Sequence, residues 1–131
     1  MKMTQEDRDE WVAALRSGKY QQGVGTLLEP SSNVACCLGV LCDLQAAKGV
    51  VKKNVAHAHT RFANPKHTLE YSSTALPKIL QERFSCEAGV KVYYKGRDAS
   101  LVRLNDAERL PFSAIADIIE DQVEIIPFYS T

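Results

Sequence analysis

The chain has 131 residues, 45% of them apolar and 24% charged, and its basic and acidic side chains cancel. That length suits a single domain with a core of its own, and zero net charge excludes bulk attraction to nucleic acid as the driving force of binding. The longest apolar run, Val34 to Cys42, is too short for a membrane span, and the polar opening Met1 to Asp7 lacks the apolar segment of a secretory signal.

In chain order, Thr4 followed by Gln5-Glu6-Asp7 reads as a helix cap with acids in the first turn, where the helix dipole favours them. Trp11 and Leu15 fall on one stripe, and Gly18 supplies the left-handed stop, so a helix is expected over 5–17. Residues 20–29, with Gly23 and Gly25, read as a short strand or extended loop. Cys36 to Lys48 is apolar on nearly every side up to Cys42 and then helical to Gly49, which predicts a helix running through the core. Residues 50–72 read as a loop that carries histidines and Pro65. Ser73 or Thr74 is expected to cap a helix with Pro77 in its first turn and Leu76, Ile79, Leu80 and Phe84 buried. Val90 to Tyr94 alternates as a half-buried strand, and Gly96-Arg97-Asp98 turns into a second strand at Leu101 to Leu104. Ser113 is expected to cap a last helix carrying Ile115, Ala116, Ile118 and Ile119, ended by Pro127. The expected fold is a compact α+β domain over 1–131, with about four helices packed on a small antiparallel sheet.

Charge is unevenly spread. Residues 44–68 hold Lys48, Lys52, Lys53, Arg61 and Lys66 with no acid, whereas 104–131 hold Asp106, Glu108, Asp117, Glu120, Asp121 and Glu124 against Arg109. Such asymmetry either steers an anion, aligns subunits head to tail or simply solvates two surfaces.

Three segments carry a resemblance: Leu15-Arg16-Ser17-Gly18-Lys19-Tyr20 with Gln22-Gly23, Cys36-Cys37-Leu38-Gly39-Val40-Leu41-Cys42-Asp43-Leu44, and Leu104-Asn105-Asp106 followed by Phe112 and Ile115-Ala116-Asp117-Ile118-Ile119-Glu120. In this order they resemble a family of small proteins encoded by tailed bacteriophages and prophages. The resemblance implies a phage-encoded accessory protein of the host cytoplasm and carries no mechanism with it.

The chemistry-bearing residues are weighed individually. Cys36, Cys37 and Cys42 lack the paired spacing of a zinc site and sit in an apolar run, so they read as core packing, and no metal or cofactor is expected. His57 and His59, with His67, have the types for a metal site but lie in a basic loop with no acid nearby, which favours solvated side chains. Arg16 to Gly23 concentrates two cations, an aromatic ring and two amides where a helix ends, a set suited to an anionic, ring-bearing ligand. It is not a phosphate-binding P-loop, since Gly18-Lys19 follows a helix rather than opening one. Asn105-Asp106 reads first as a turn, and Arg103 and Asn105 would project from a strand end, a place where ligand residues occur.

These residues favour a binding protein over an enzyme, since no nucleophile–base or carboxylate pair stands out. The expected function is sequestration of a small nucleotide immune signal, cyclic ADP-ribose-like or a cyclic oligonucleotide, by a homo-oligomer away from membranes and nucleic-acid polymers. Arg16, Lys19 and Arg103 would hold phosphates, Tyr20 would stack, and Gln21 or Asn105 would read polar edges. The alternatives are an adaptor that inhibits a host protein through the acidic C-terminal surface, and a hydrolase of the same signals.

Overall fold

A computed structural model describes residues 1–30, 32–55, 60–66 and 72–129. The elements follow as β1 (Lys2–Thr4), α1 (Gln5–Arg16), β2 (Gln21–Gln22), β3 (Val34–Ala35), α2 (Cys37–Ala47), β4 (Lys52–Val55), β5 (Thr60–Ala63), α3 (Lys78–Arg83), β6 (Lys91–Tyr94), β7 (Arg97–Ser100), α4 (Leu101–Asp106), α5 (Phe112–Gln122) and β8 (Glu124–Ile126). The α+β class expected from the sequence is what the chain adopts. Among the described residues the strands form four separate two-stranded ribbons rather than one sheet. β4–β5 and β6–β7 are antiparallel, while β1–β8 and β2–β3 are parallel.

The helices carry the core. Trp11 and Leu15 of α1, Leu38 and Leu41 of α2, Leu80 of α3, Leu101 and Leu104 of α4, and Ile115 and Ile119 of α5 belong to one buried cluster. Thr4 caps α1 as its spacing predicts, accepting from the backbone N–H of Asp7, and Gly18 takes the left-handed conformation that stops it. α2 crosses the core so closely that a Cβ on Gly39 would lie 1.5 Å from the Leu27 carbonyl oxygen. Only glycine fits there. The indole N–H of Trp11 donates to the Cys37 carbonyl at 3.0 Å and fixes α1 against the start of α2.

Several elements depart from the sequence reading. Leu101–Leu104 is helical, because Ser100 caps it through a hydrogen bond from the Arg103 N–H and the strand ends one residue earlier. Residues 52–55 and 60–63, read as loop, pair as antiparallel strands in which Thr60, Phe62 and Ala63 are buried. The helix at Lys78 has Pro77 itself in the capping position, and the last helix has Pro111 there rather than Ser113. Neither proline supplies a side-chain cap. Finally, Glu124–Ile126 is a strand, placed beside β1 by the hydrogen bond from the Glu124 N–H to the Met1 carbonyl at 3.0 Å.

Candidate functional site

The residues singled out in the sequence separate into three environments. Gln22 and Asn105 meet at the centre of the molecule. Asn105 is fully buried; its Oδ1 accepts from Gln22 Nε2 at 3.0 Å and from the Cys37 N–H at 3.2 Å. Its Nδ2 donates to the Gly23 carbonyl at 2.9 Å and to Asp106 Oδ1 at 2.7 Å. Gln22 completes the hub: Nε2 donates to the Leu110 carbonyl at 2.8 Å and Oε1 accepts from the Phe112 N–H at 3.2 Å. Cys37 and Phe112 are the first residues of α2 and α5, whose own cap positions, Cys36 and Pro111, make no side-chain cap. The two amides therefore cap two helices from other parts of the chain. The side chain of Asn105, expected to contact a ligand, thus has every polar atom engaged inside.

Tyr20, expected to stack on a ligand, lies inside as well. It is buried, and its hydroxyl donates to Asp43 Oδ2 at 2.5 Å, while Lys53 Nζ donates to Asp43 Oδ1 at 2.7 Å. Burial and then the Asp43 hydrogen bond push the Tyr20 phenol well above its ordinary value. The residue is 5% exposed, and Lys19 Nζ lies 5.4 Å from its ring centroid. Arg16, at the end of α1, is spent on α5, with 2.6 Å to Asp117 Oδ1 and 3.2 Å to Glu120 Oε2. Gln21 and Arg103 are exposed, on β2 and α4. The structure thus does not gather Arg16, Lys19, Tyr20, Gln21, Arg103 and Asn105 into one cleft. The three histidines lie outside the described residues.

The cysteines pack in the core. Cys36, Cys37 and Cys42 are buried in and beside α2, and burial pushes the Cys36 thiol up and those of Cys37 and Cys42 well up. Cys86 is half-buried, and burial raises it to about 11. All four are therefore protonated near neutral pH. Among the described residues no cluster of histidine, cysteine or acidic side chains is arranged to hold a metal ion.

A cleft lies elsewhere. A cavity of about 670 Å³ opens between the first turn of α1 and the C-terminal segment, with Asp7, Lys48, Arg83, Phe128 and Tyr129 on its walls. A second, of about 550 Å³, adjoins it and shares Arg83, Phe128 and Tyr129. Asp7 is 3% exposed and accepts from Lys48 Nζ at 2.5 Å and from the Tyr129 hydroxyl. Burial alone would raise its pKa. The hydrogen bonds from Lys48, Tyr129 and Gln45, with the Lys48 charge, outweigh that and hold the carboxyl below its ordinary 3.8. Burial and the bond to ionised Asp7 raise the Tyr129 phenol in turn. Arg83, in the last turn of α3, stacks over the Tyr129 ring at 3.7 Å, and the Phe84 and Tyr129 rings meet at 6.0 Å. Phe128 stands on the rim, 73% exposed.

Sequence reasoning missed this cleft because its residues come from four distant segments, each with an ordinary local explanation. Asp7 reads as a first-turn acid, Lys48 as the last turn of a helix and Arg83 likewise. The signal that could have flagged it was the apolar Ile125-Ile126 followed by Pro127-Phe128-Tyr129, too apolar and aromatic for a solvated tail.

Fold and cleft together define a small α+β protein with an open, charged groove between the start of its first helix and its C-terminal segment. The chain belongs to a family described as a domain of unknown function, DUF8296, whose pattern matches residues 3–123. No curated protein and no solved structure matches it. No helix among the described residues is long and apolar enough to cross a membrane.

Proposed function

We propose that this is a binding protein that sequesters a small, anionic, ring-bearing molecule, a nucleotide signal of host defence, in the groove beside the C-terminal segment. The observation that carries the reading is the groove itself: about 670 Å³, within the size range of small-molecule sites, with Lys48 and Arg83 on its walls and an exposed Phe128 at its rim. Cations suit phosphates, and an exposed ring suits a base. The ionisable groups around it favour holding over turnover. Asp7 is tied up as an ionised acceptor, and the Tyr129 phenol is raised rather than activated. The resemblance to tailed-phage proteins supports a setting in which a phage withholds such a signal from its host. A homo-oligomer would close the open groove against a neighbouring copy.

Native mass spectrometry with a panel of cyclic and linear nucleotides, followed by denaturing release, tests this. A retained mass released intact is expected, from an oligomer that shows one ligand per chain. A cleaved product would make the protein a hydrolase. A bare protein across the whole panel would overturn the reading.

A second reading rests on a specific surface. Asp117, Glu120, Asp121 and Glu124 are exposed along α5 and β8, next to Ile125 at 40% exposure. An acidic face with an apolar spot suits inhibition of a basic host protein. Charge-reversal of Asp121 and Glu124 would then abolish recovery of that protein and leave nucleotide retention unchanged.

A further inference from the structure

Several of the partly buried cations are matched by carboxylates at close range. Arg16 has Asp117 and Glu120, Lys53 has Asp43, and Lys48 has Asp7 at 2.5 Å and Glu10 at 3.4 Å. Arg83 differs. Its Nε is buried without a hydrogen-bond partner, and among the described residues its guanidinium donates no hydrogen bond. The nearest carboxylate oxygen, Asp7 Oδ2, stands 3.9 Å away and already accepts from Tyr129. A guanidinium presents five donors in a planar fork, and a buried donor is ordinarily matched by an acceptor.

The fork is nevertheless held in place. Tyr129 stacks on one side at 3.7 Å, and the Phe84 ring lies 6.0 Å away. Tyr129 is itself fixed by its hydroxyl, which donates to Asp7 and lies 3.3 Å from the Thr4 N–H that donates to it. Arg83 also stands where the two cavities adjoin, so a ligand in either one reaches it. An oriented, unsaturated fork at the meeting of two cavities is an anion-binding group awaiting its acceptor.

We propose that Arg83 anchors the phosphate or carboxylate of the ligand, with the ring of the ligand directed towards Phe128; this rests on the binding reading above. Charge around the site narrows the class. In the larger cavity Lys48 and Arg83 face Glu6 and Asp7, and in the smaller one Lys2 and Arg83 face Glu82. A ligand bearing one phosphate or carboxylate balances Arg83 without crowding these acids, whereas a triphosphate tail is repelled by them. The site therefore prefers a monophosphate to a triphosphate of the same base.

The test follows the Arg83 Nε–H signal by ¹H–¹⁵N NMR during titration with inorganic phosphate, and in parallel measures AMP and ATP binding to wild type, Arg83→Lys and Arg83→Met. The expected result is a saturable shift of the Arg83 signal, AMP bound more tightly than ATP, and AMP affinity about tenfold weaker in Arg83→Lys and weaker still in Arg83→Met. Thermal melting of Arg83→Lys and Arg83→Met alongside wild type separates loss of the anchor from loss of the fold. An Arg83 signal unmoved by phosphate, or equal AMP affinity in wild type and Arg83→Met, overturns the anchor. If phosphate saturates Arg83 while no nucleotide is retained, the anchor stands and the nucleotide reading falls; if nucleotides are retained equally without Arg83, the reading stands and the anchor falls.

Discussion

Asn105 shows how a single amide governs this molecule. Its side chain satisfies the first N–H of α2, the Gly23 carbonyl, Gln22 and Asp106 from one fully buried position. Truncation to alanine leaves several of those groups without partners in a place water does not reach, so Asn105→Ala should lose about 3 kcal/mol of stability. Urea denaturation measures it, and a midpoint within error of wild type would refute the capping role. The residue follows a segment that reads as a strand, and a side chain projecting from a strand end is why the sequence alone pointed to ligand contact. Burial is a property of the whole packing arrangement, and nothing adjacent to Asn105 in sequence records that Gln22 and Cys37 will meet it. The thiols are the opposite case: their apolar neighbours are also their sequence neighbours, so core placement was legible. Native protein at pH 7 should react with a thiol reagent slowly, with Cys86 first as the least buried, and all four should react at once in denaturant. A fast-reacting Cys36, Cys37 or Cys42 would contradict their protonated, buried state.

At the scale of elements, α2 depends on its glycine. Gly39→Ala drives a methyl carbon into the Leu27 backbone, which is itself pinned by the Cys36 N–H donating to the Leu27 carbonyl and by the Leu27 N–H donating to Ser73. Backbone held at both ends cannot yield cheaply, so this variant should be destabilised by more than about 3 kcal/mol or fail to fold. A variant with wild-type thermal stability would show that α2 has room to move. Helix propensity would favour the same substitution in an exposed helix, so the sign of the effect isolates the close approach. The longer helices were legible because their apolar residues recur at helical spacing: Trp11 and Leu15 in α1, and Ile115 and Ile119 in α5. α4 was not, because Leu101-Val102-Arg103-Leu104 is too short for periodicity to separate a strand from one helical turn. Its outcome is decided by the Ser100 cap. The parallel ribbons β1–β8 and β2–β3 were equally hidden, since pairing between strands of two or three residues far apart in sequence leaves no local pattern.

The whole molecule is held by two buried or half-buried carboxylates that join segments distant in sequence. Asp7 links α1 to Lys48 after α2 and to Tyr129 in the tail; Asp43 links α2 to Lys53 and to Tyr20. Burial raises both carboxyl pKa values, but their lysine and tyrosine partners outweigh it, and both end below the ordinary 3.8. A carboxyl with a folded-state pKa below its unfolded value contributes stability that is complete above the unfolded value and drains as pH falls through the folded one. Stability should accordingly be level from neutral pH down to the approach of 3.8 and then decline steeply. Asp7→Asn, which keeps the shape and removes the titration, should be less stable at pH 7 and show a shallower acid decline. Melting curves from pH 7 to pH 3 measure both, and an unchanged acid slope would remove Asp7 from the account.

The parallel pairing of Lys2–Thr4 with Glu124–Ile126 bears on how the protein is made. Met3 is completely buried, yet its strand partner, Ile125, is among the last of the described residues to leave a ribosome. Throughout elongation the first strand therefore waits with its hydrogen-bonding edge open and a core side chain uncovered. The domain cannot close progressively from its N-terminal side as it emerges. Its final assembly belongs to the moment after the C-terminal segment clears the exit tunnel, and a stalled or shortened nascent chain would carry an exposed edge in place of a finished fold.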